Sequence, residues 1–456
     1  MDLRLVLAIL LGKSTAFLNK IRGTGATAAP GLVGLKIDPQ LVAKITKANN
    51  LKSIIVSGTN GKTTTSRLIF DLISRKYKVI HNRQGSNLLR GVASSLISSI
   101  SLTGKTTTNL CLWEADEASL TSIIEQSDPK VVVLLNLFRD QLDRYGEIDT
   151  TRKKWQKVVE SLNKNTTLVI NSDDPNINFL AKSTKAQKLF FGIDVSNINL
   201  PSLENIADVK FCPNCTHKLA YQKLYSAHLG VYKCTNCNFK RTSPNTKAIS
   251  VNFKKDFTTE IEIAASTIIK TTYPLPGLFN VYNILAAISA IKPFNLSNKI
   301  IKEKIQNFSS AFGRFQKIRK DEIEIITFLI KNPAGTNEVL RTIHGSSPLN
   351  LLVILNDNIA DGRDVSWIWD TNWESLNDKV ANLFISGTRA YDLALRFKYA
   401  NFKIAGSNIN PDVQKSIDSA LKNLKSGSTL FILPTYTALL SVQKNLTKGD
   451  TQWQNQ

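Results

Sequence analysis

Ten residues, Ser57 to Ser66 (SGTNGKTTTS), constrain this chain more than any others, because they directly follow the apolar run Ser53-Ile54-Ile55-Val56. A glycine-bracketed turn between a strand and a helix points backbone amides and a helix N-terminus at one spot, which suits a phosphate group. The usual form of this loop has a glycine five places before the one preceding lysine, and here that place holds Val56. Gly58, Thr59, Asn60, Gly61, Lys62, Thr63 and Thr64 are the expected nucleotide-binding residues. Lys62 would neutralise the β/γ-phosphates of ATP, and the Thr63 hydroxyl would ligate Mg²⁺. The plain alternative is a glycine turn with an incidental Lys-Thr pair; the strand before and the helix after argue against it.

The pattern around this loop is alternating strand and helix. Strands are expected at 54–57, 77–81, 109–113, 131–136 and 168–171, with helices at 63–75 and 278–291. A second series begins after Phe312, with strands at 351–355, 383–386 and 430–433. The fold class is therefore α/β: a phosphate-loop central domain with a mostly parallel sheet, plus a smaller C-terminal α/β domain. Domain bounds are read as 1–40 for an N-terminal helix and linker, 41–311 for the central domain, 205–245 for a cysteine-bearing insert within it, and 312–456 for the C-terminal domain. Gly23 to Gly34 (GTGATAAPGLVG) reads as a flexible link. The apolar opening Leu3–Gly12 is shorter than the roughly 20 residues a membrane span needs. It reads as a helix docked on the body or resting on a membrane surface. No other segment spans a bilayer, so a cytoplasmic protein is expected, with peripheral attachment to the inner face of the plasma membrane left open.

Cys212-Pro213-Asn214-Cys215 and Cys234-Thr235-Asn236-Cys237 are two C-x₂-C knuckles. Such a pair completes a tetrahedral four-thiolate site, so structural Zn²⁺ is expected, with no open position for catalysis. The fifth cysteine, Cys111, falls on a predicted buried strand and reads as core. The net charge is +22; up to residue 310 there are 41 Lys/Arg against 22 Asp/Glu, and thereafter 17 against 14. A basic surface favours polyanions: nucleic acid, an anionic membrane face or phosphorylated substrates. Residues 208–245 add Lys210, Lys218, Lys223, Lys233, Lys240 and Arg241 against Asp208.

After the strand at 351–355 comes a loop dense in acids, Asn356 to Asp370 (NDNIADGRDVSWIWD). A calcium site is excluded, since Ile359 and Ile368 occupy positions where an EF-hand needs ligands. A functional edge or a protein contact fits better, with a purely structural turn as the alternative, and Asp357, Asp361, Asp364 and Asp370 are equally plausible candidates at this point.

The short phosphate loop resembles that of Mur ligases and folylpolyglutamate synthases. Trp113-Glu114-Ala115-Asp116-Glu117 is similar to the strand-end acid that holds Mg²⁺ in those enzymes, which makes Glu114 the metal candidate. Asn280-Val281-Tyr282-Asn283 resembles the family's Asn-x-x-Asn segment near the adenine, with both amides on one helix face. Gly313-Arg314 resembles the junction arginine that reaches the phosphates. Two departures stand out. Few residues precede the loop, so a separate nucleotide-sugar domain is not expected. Gln141 stands where the family has a histidine beside a second metal, and Lys153, Lys154 and Lys157 all lie near the place of a carbamylated lysine.

Zinc knuckles in a Mur-type centre, Lys331-Asn332-Pro333-Ala334-Gly335 and Asp361-Gly362-Arg363-Asp364 together resemble the MurT family, synthetase subunits of lipid II isoglutaminyl synthase. The resemblance implies ATP-dependent amidation of the D-glutamate α-carboxylate in the lipid II stem peptide through an acyl phosphate. It implies a C–N ligase of peptidoglycan synthesis that takes ammonia from a GatD-like glutaminase partner, with lipid II at the membrane surface. Asp364 matches the acid that this family lends to the partner's catalytic triad. Two rivals are a self-sufficient amino acid ligase and a zinc-ribbon nucleic-acid-binding ATPase. The second lacks helicase-type motifs and a basic-aromatic stacking run, so no nucleic acid partner is expected.

Overall fold

The computed structural model describes residues 2–21, 27–83, 86–139, 148–204, 207–309, 315–320, 322–346 and 348–446. Three helices come first: α1 (Leu3–Ile21), α2 (Ala29–Ile37) and α3 (Leu41–Ala48). The strand–helix series then runs β1 (Lys52–Ser57), α4 (Lys62–Ile73), β2 (Val79–His81), α5 (Leu89–Ser99), β3 (Leu110–Ala115), α6 (Leu120–Gln126) and β4 (Pro129–Leu134). Strands β5 (Thr167–Asn171), β6 (Gln187–Ile193), β7 (Leu219–Ser226), β8 (Leu229–Cys234), β9 (Thr246–Phe253), β10 (Thr259–Ala264) and β11 (Ile268–Tyr273) follow.

A nine-stranded sheet has the order β11-β10-β9-β6-β5-β4-β1-β3-β2, parallel from β2 to β9 and antiparallel across β9, β10 and β11. Its central strands are buried on both faces, which explains their unbroken apolar runs. Ile54 and Val56 join the layer that includes the helix Leu278–Ile291; Ile55 joins the opposite layer with α1, α3 and α5. The antiparallel arm β9–β11 was not expected. Its alternation of buried apolar and exposed polar residues marks strands covered on one face only.

The second sheet is β12 (Phe315–Lys320), β13 (Ile323–Phe328), β14 (Leu349–Ile354), β15 (Val380–Ser386) and β16 (Thr429–Pro434), in the order β12-β13-β16-β14-β15. Only the β12–β13 pair is antiparallel. Arg314 and Gln141 lie outside the described residues.

The expectation of a flexible link over Gly23–Gly34 fails where the chain is described. Ala29–Ile37 is a helix, begun by Pro30 in its first turn and wedged between α1 and α5. Its small residues serve close packing: a Cβ on Gly31 would come within 1.9 Å of the Arg90 carbonyl oxygen. The opening helix is docked, with Leu5, Ala8, Ile9 and Gly12 buried. Among the described residues no helix is long and apolar enough to cross a membrane.

Candidate active site

The phosphate loop leaves β1 at the C-terminal edge of the sheet and enters α4 at Lys62. Gly61 has φ +90°, and a Cβ there would lie 2.2 Å from Asn283 Oδ1. No other residue type fits both the conformation and the space. The loop is held from the side by the chain after β4. The Asn60 amide donates to Asn136 Oδ1 at 2.8 Å, and Asn136 Nδ2 donates back to the Asn60 carbonyl at 3.0 Å. The Phe138 amide donates to Thr59 Oγ1 at 3.0 Å. This clamp replaces the rigidity that a longer glycine loop takes from its own backbone.

Two of the expected metal-site residues meet. Thr63 Oγ1 donates to Glu114 Oε1 at 2.8 Å, at the start of α4 and the end of β3. A hydroxyl and a carboxylate side by side are hard oxygen donors of the kind Mg²⁺ takes, beside a helix N-terminus that favours phosphate. Lys62 is buried, and its Nζ donates to Glu117 Oε2 at 2.9 Å and to the Gly58 carbonyl at 2.5 Å. Glu117 is itself buried, and its carbonyl accepts the Trp155 indole N–H at 2.9 Å. The acid therefore holds the lysine at the loop through an ion pair.

Asn280 and Asn283 share one face of the helix Leu278–Ile291, with Asn283 Nδ2 donating to Asn280 Oδ1 at 3.3 Å. Thr65 Oγ1 donates to Asn283 Oδ1 at 3.2 Å, which ties this helix to α4. Both asparagines line a cleft that also takes in Asn60, Phe279, Phe315 and Lys331. The C-terminal unit reaches the loop directly: Lys331 Nζ donates to the Thr59 carbonyl at 3.2 Å, and Asn332 Nδ2 to Asn60 Oδ1 at 3.0 Å. Asn332 also caps the helix Pro333–Ile343 by accepting the Gly335 amide at 2.8 Å, so a helix N-terminus faces the cleft.

Glu117, Asn136, Lys331 and Asn332 were not assigned as site residues from sequence. Asn136 carried a usable signal, a polar residue ending a buried apolar strand at the edge where ligands bind in such sheets. Lys153, Lys154 and Lys157 are all exposed on the helix Ile148–Glu160, and none lines the cleft.

The four knuckle cysteines converge. Sγ of Cys212 lies 3.7 Å from that of Cys237, and Sγ of Cys215 lies 3.4 Å from that of Cys234. All four sulfurs fall within 4.8 Å of one another. Tetrahedral Zn²⁺ with bonds near 2.3 Å requires sulfurs about 3.8 Å apart, so the set fits. The Asn214 and Asn236 amides donate to Cys212 and Cys234 sulfur at 3.4 Å each and hold the two knuckles in shape. Arg241 is not a free surface charge, since its Nε donates to buried Asp173 at 2.6 Å. Cys111 is buried, and burial pushes its thiol up to about 12, as expected of a core residue.

The β7–β8 hairpin joins the knuckles to the cleft. At its tip Ser226 donates to Glu338 of the helix Pro333–Ile343. Buried His228 packs on Phe138 with ring centroids 4.6 Å apart.

In the acid loop after β14, three of the four aspartates are engaged. Asp361 accepts the Thr437 amide at 2.7 Å and the Thr437 hydroxyl at 2.5 Å. Asp357 accepts from Thr388 Oγ1 at 2.8 Å and from Arg389 at 3.2 Å, and Asp370 faces Arg139 at 3.9 Å. Asp364 is exposed, and its carboxylate accepts the Ser366 amide at 2.8 Å, a bond within its own turn.

Comparison with known proteins agrees with this geometry. Residues 56–237 match the Mur ligase middle domain, and residues 329–439 match the MurT ligase C-terminal domain. Lipid II isoglutaminyl synthase (glutamine-hydrolyzing) subunit MurT of Streptococcus pneumoniae is 30% identical over 98% of both chains. The subunit of that name from Staphylococcus aureus is 31% identical over 97% of this chain and 98% of its own. Among solved structures, a pseudomurein peptide ligase type C from Methanothermus fervidus superposes with a TM-score of 0.67 at 22% identity, covering 90% of this chain and 81% of that one. MurF ligase from Thermotoga maritima in complex with ADP gives 0.65 at 14% identity, covering 91% and 84%. A Mur-ligase fold, a clamped short phosphate loop and near full-length similarity to two MurT subunits place the chain in the MurT family of Mur ligases.

Proposed function

We propose that the chain is the synthetase subunit of a lipid II isoglutaminyl synthase, which amidates the D-glutamate α-carboxylate of the stem peptide in peptidoglycan synthesis. The observation that carries this reading is that Lys62 and the bonded pair of Thr63 and Glu114 sit together at the start of α4, in a chain aligned over 98% of its length with a MurT subunit. A free carboxylate is a poor electrophile. Transfer of the γ-phosphoryl group of ATP to one carboxylate oxygen gives an acyl phosphate, and ammonia then displaces inorganic phosphate to leave the amide. Lys62 exchanges Glu117 for a phosphate oxygen and stabilises charge on the transferring group, with the loop amides around it. Thr63 and Glu114 would hold Mg²⁺, which supplies charge neutralisation between the phosphates. Asn280 and Asn283 would border the adenine, and Arg314 would approach the phosphates from the junction.

Ammonia would come from a GatD-like glutaminase. Asp364, exposed and bonded within its own turn, has the geometry of an acid that can accept a hydrogen bond from the partner's histidine and stabilise its charged form. Zn²⁺ on Cys212, Cys215, Cys234 and Cys237 is structural, bracing the hairpin that touches both Phe138 and Glu338. The protein is cytoplasmic and works at the inner face of the plasma membrane, where the acceptor resides. Reconstitution tests this: the chain with its glutaminase and lipid II should form D-isoglutamine from glutamine and ATP, whereas the chain alone should require free ammonia. Glutamine use by the chain alone, or transfer of an intact amino acid, would overturn it.

A further inference from the structure

The first helix is apolar on two faces. One carries Leu5, Ala8, Ile9 and Gly12 and packs on α2 and α5. The other carries Leu3, Leu7, Leu10, Leu11, Phe17 and Leu18, all between 41% and 85% exposed. At 100° per residue these fall within roughly 120° of the helix circumference, a stripe opposite the docked face broken only by Ser14, whose hydroxyl donates back to the Leu10 carbonyl at 3.0 Å. Eight of the nineteen large apolar side chains exposed among the described residues lie between Leu3 and Leu32. A soluble protein rarely collects so many in one place without a use for them.

Charge decides what covers this stripe. Arg4 flanks it on one side, and Lys13 and Lys20 flank it on the other. Neither α1 nor α2 carries an acidic residue. The neighbouring acids Asp2 and Asp38 are both paired with Lys44. An apolar stripe edged by cations and free of acids matches an in-plane interfacial helix, with its side chains among acyl chains and its cations at anionic headgroups. Cations along both edges suit a plane of anionic headgroups.

We propose that the outward face of α1 is a membrane-docking surface that seats the protein on an anionic bilayer. This deepens the reading above, because an acceptor anchored in a bilayer is reached faster by an enzyme already lying on it. The surface is nevertheless a property of the chain that can be measured without the acceptor.

The test is co-sedimentation of the full chain with vesicles that contain no lipid II, either phosphatidylcholine alone or phosphatidylcholine with phosphatidylglycerol. Binding should be strong on anionic vesicles, weak on neutral ones, and reduced by salt. The combined variant Leu7→Gln, Leu11→Gln, Phe17→Gln should partition about tenfold less or worse, with ATP binding unchanged because these side chains lie on the exposed face of α1, away from the phosphate loop. A control, Tyr391→Gln with Tyr399→Gln, removes exposed aromatic area from the C-terminal unit and should leave binding intact. Equal binding by wild type and the triple variant would overturn the proposal, as would loss of binding in the control. Self-association of the wild type that the triple variant abolishes, without vesicle binding, would assign the stripe to a second copy instead. If vesicles bind as stated but lipid II is never amidated, the proposed reaction fails while the docking surface stands.

Discussion

Two loops leave parallel strands at their C-terminal ends, one after β1 and one after β14, and their polar groups are satisfied in opposite ways. Around the first, Asn136, Glu117, Lys331 and Asn332 all point inward and bond the loop or its lysine. In the second, Asp357 and Asp361 stabilise the turn, while Asp364 projects outward. A loop clamped from within can position a phosphate unaided. A loop that presents the Asp364 and Asp370 carboxylates to solvent, beside exposed Ile359, is shaped for something that comes from outside. On this account phosphoryl transfer belongs to the chain, whereas release of ammonia from glutamine is shared.

The contrast can be broken most severely at Lys62. Lys62→Ala should depress amidation by about 10⁴-fold whether glutamine or ammonia is the nitrogen source, because charge on the transferring phosphoryl group loses its main neutraliser. Steady-state assays with each nitrogen source check this. Asp364→Asn should separate the two routes. Glutamine-driven turnover should fall by up to about 10⁴-fold, as for a triad acid, while ammonia-driven turnover stays within about twofold. Equal loss on both routes would remove the distinction between the loops.

Smaller effects sharpen the picture of the clamp. Cys215→Ser should abolish stoichiometric zinc in elemental analysis. It should also lower the melting temperature by several degrees, as expected for a loss of about 2–3 kcal/mol in a domain of this size. Because the hairpin tip packs on Phe138, KM for ATP should rise as well. Asn136→Ala frees two backbone groups of Asn60, and about 1–3 kcal/mol of lost anchoring should raise KM for ATP by roughly five- to hundredfold. Asn332→Ala removes one side-chain bond to the loop, and a few-fold rise is expected.

How much of this was readable beforehand depended on how local the determinant is. Cysteine spacing encodes its own geometry, and the four sulfurs met as expected. The central strands were found because burial on both faces leaves unbroken apolar runs such as Val131–Leu135. Ala29–Ile37 was misread, because glycine and proline signal a linker unless a neighbour such as Ser94 requires small residues. The β9–β11 arm was missed because its polar alternation resembles loop sequence. The clamp was invisible for another reason: Asn136 and Asn332 stand 76 and 272 residues from Asn60. Their meeting is a property of sheet order and of the packing of two units, not of any short motif. Asp364 could not be separated from its three neighbours by residue type. The bonds made by Asp357 and Asp361 leave Asp364 and Asp370 as the two exposed acids, and the choice between them rests on the family resemblance.

The central claim is that ATP is used here to turn a carboxylate oxygen into a leaving group. Lipid II labelled with oxygen-18 in the D-glutamate α-carboxyl tests it most directly. Amidation by the complex should release inorganic phosphate carrying one labelled oxygen for each amide formed. Unlabelled phosphate alongside full amide formation would contradict the account.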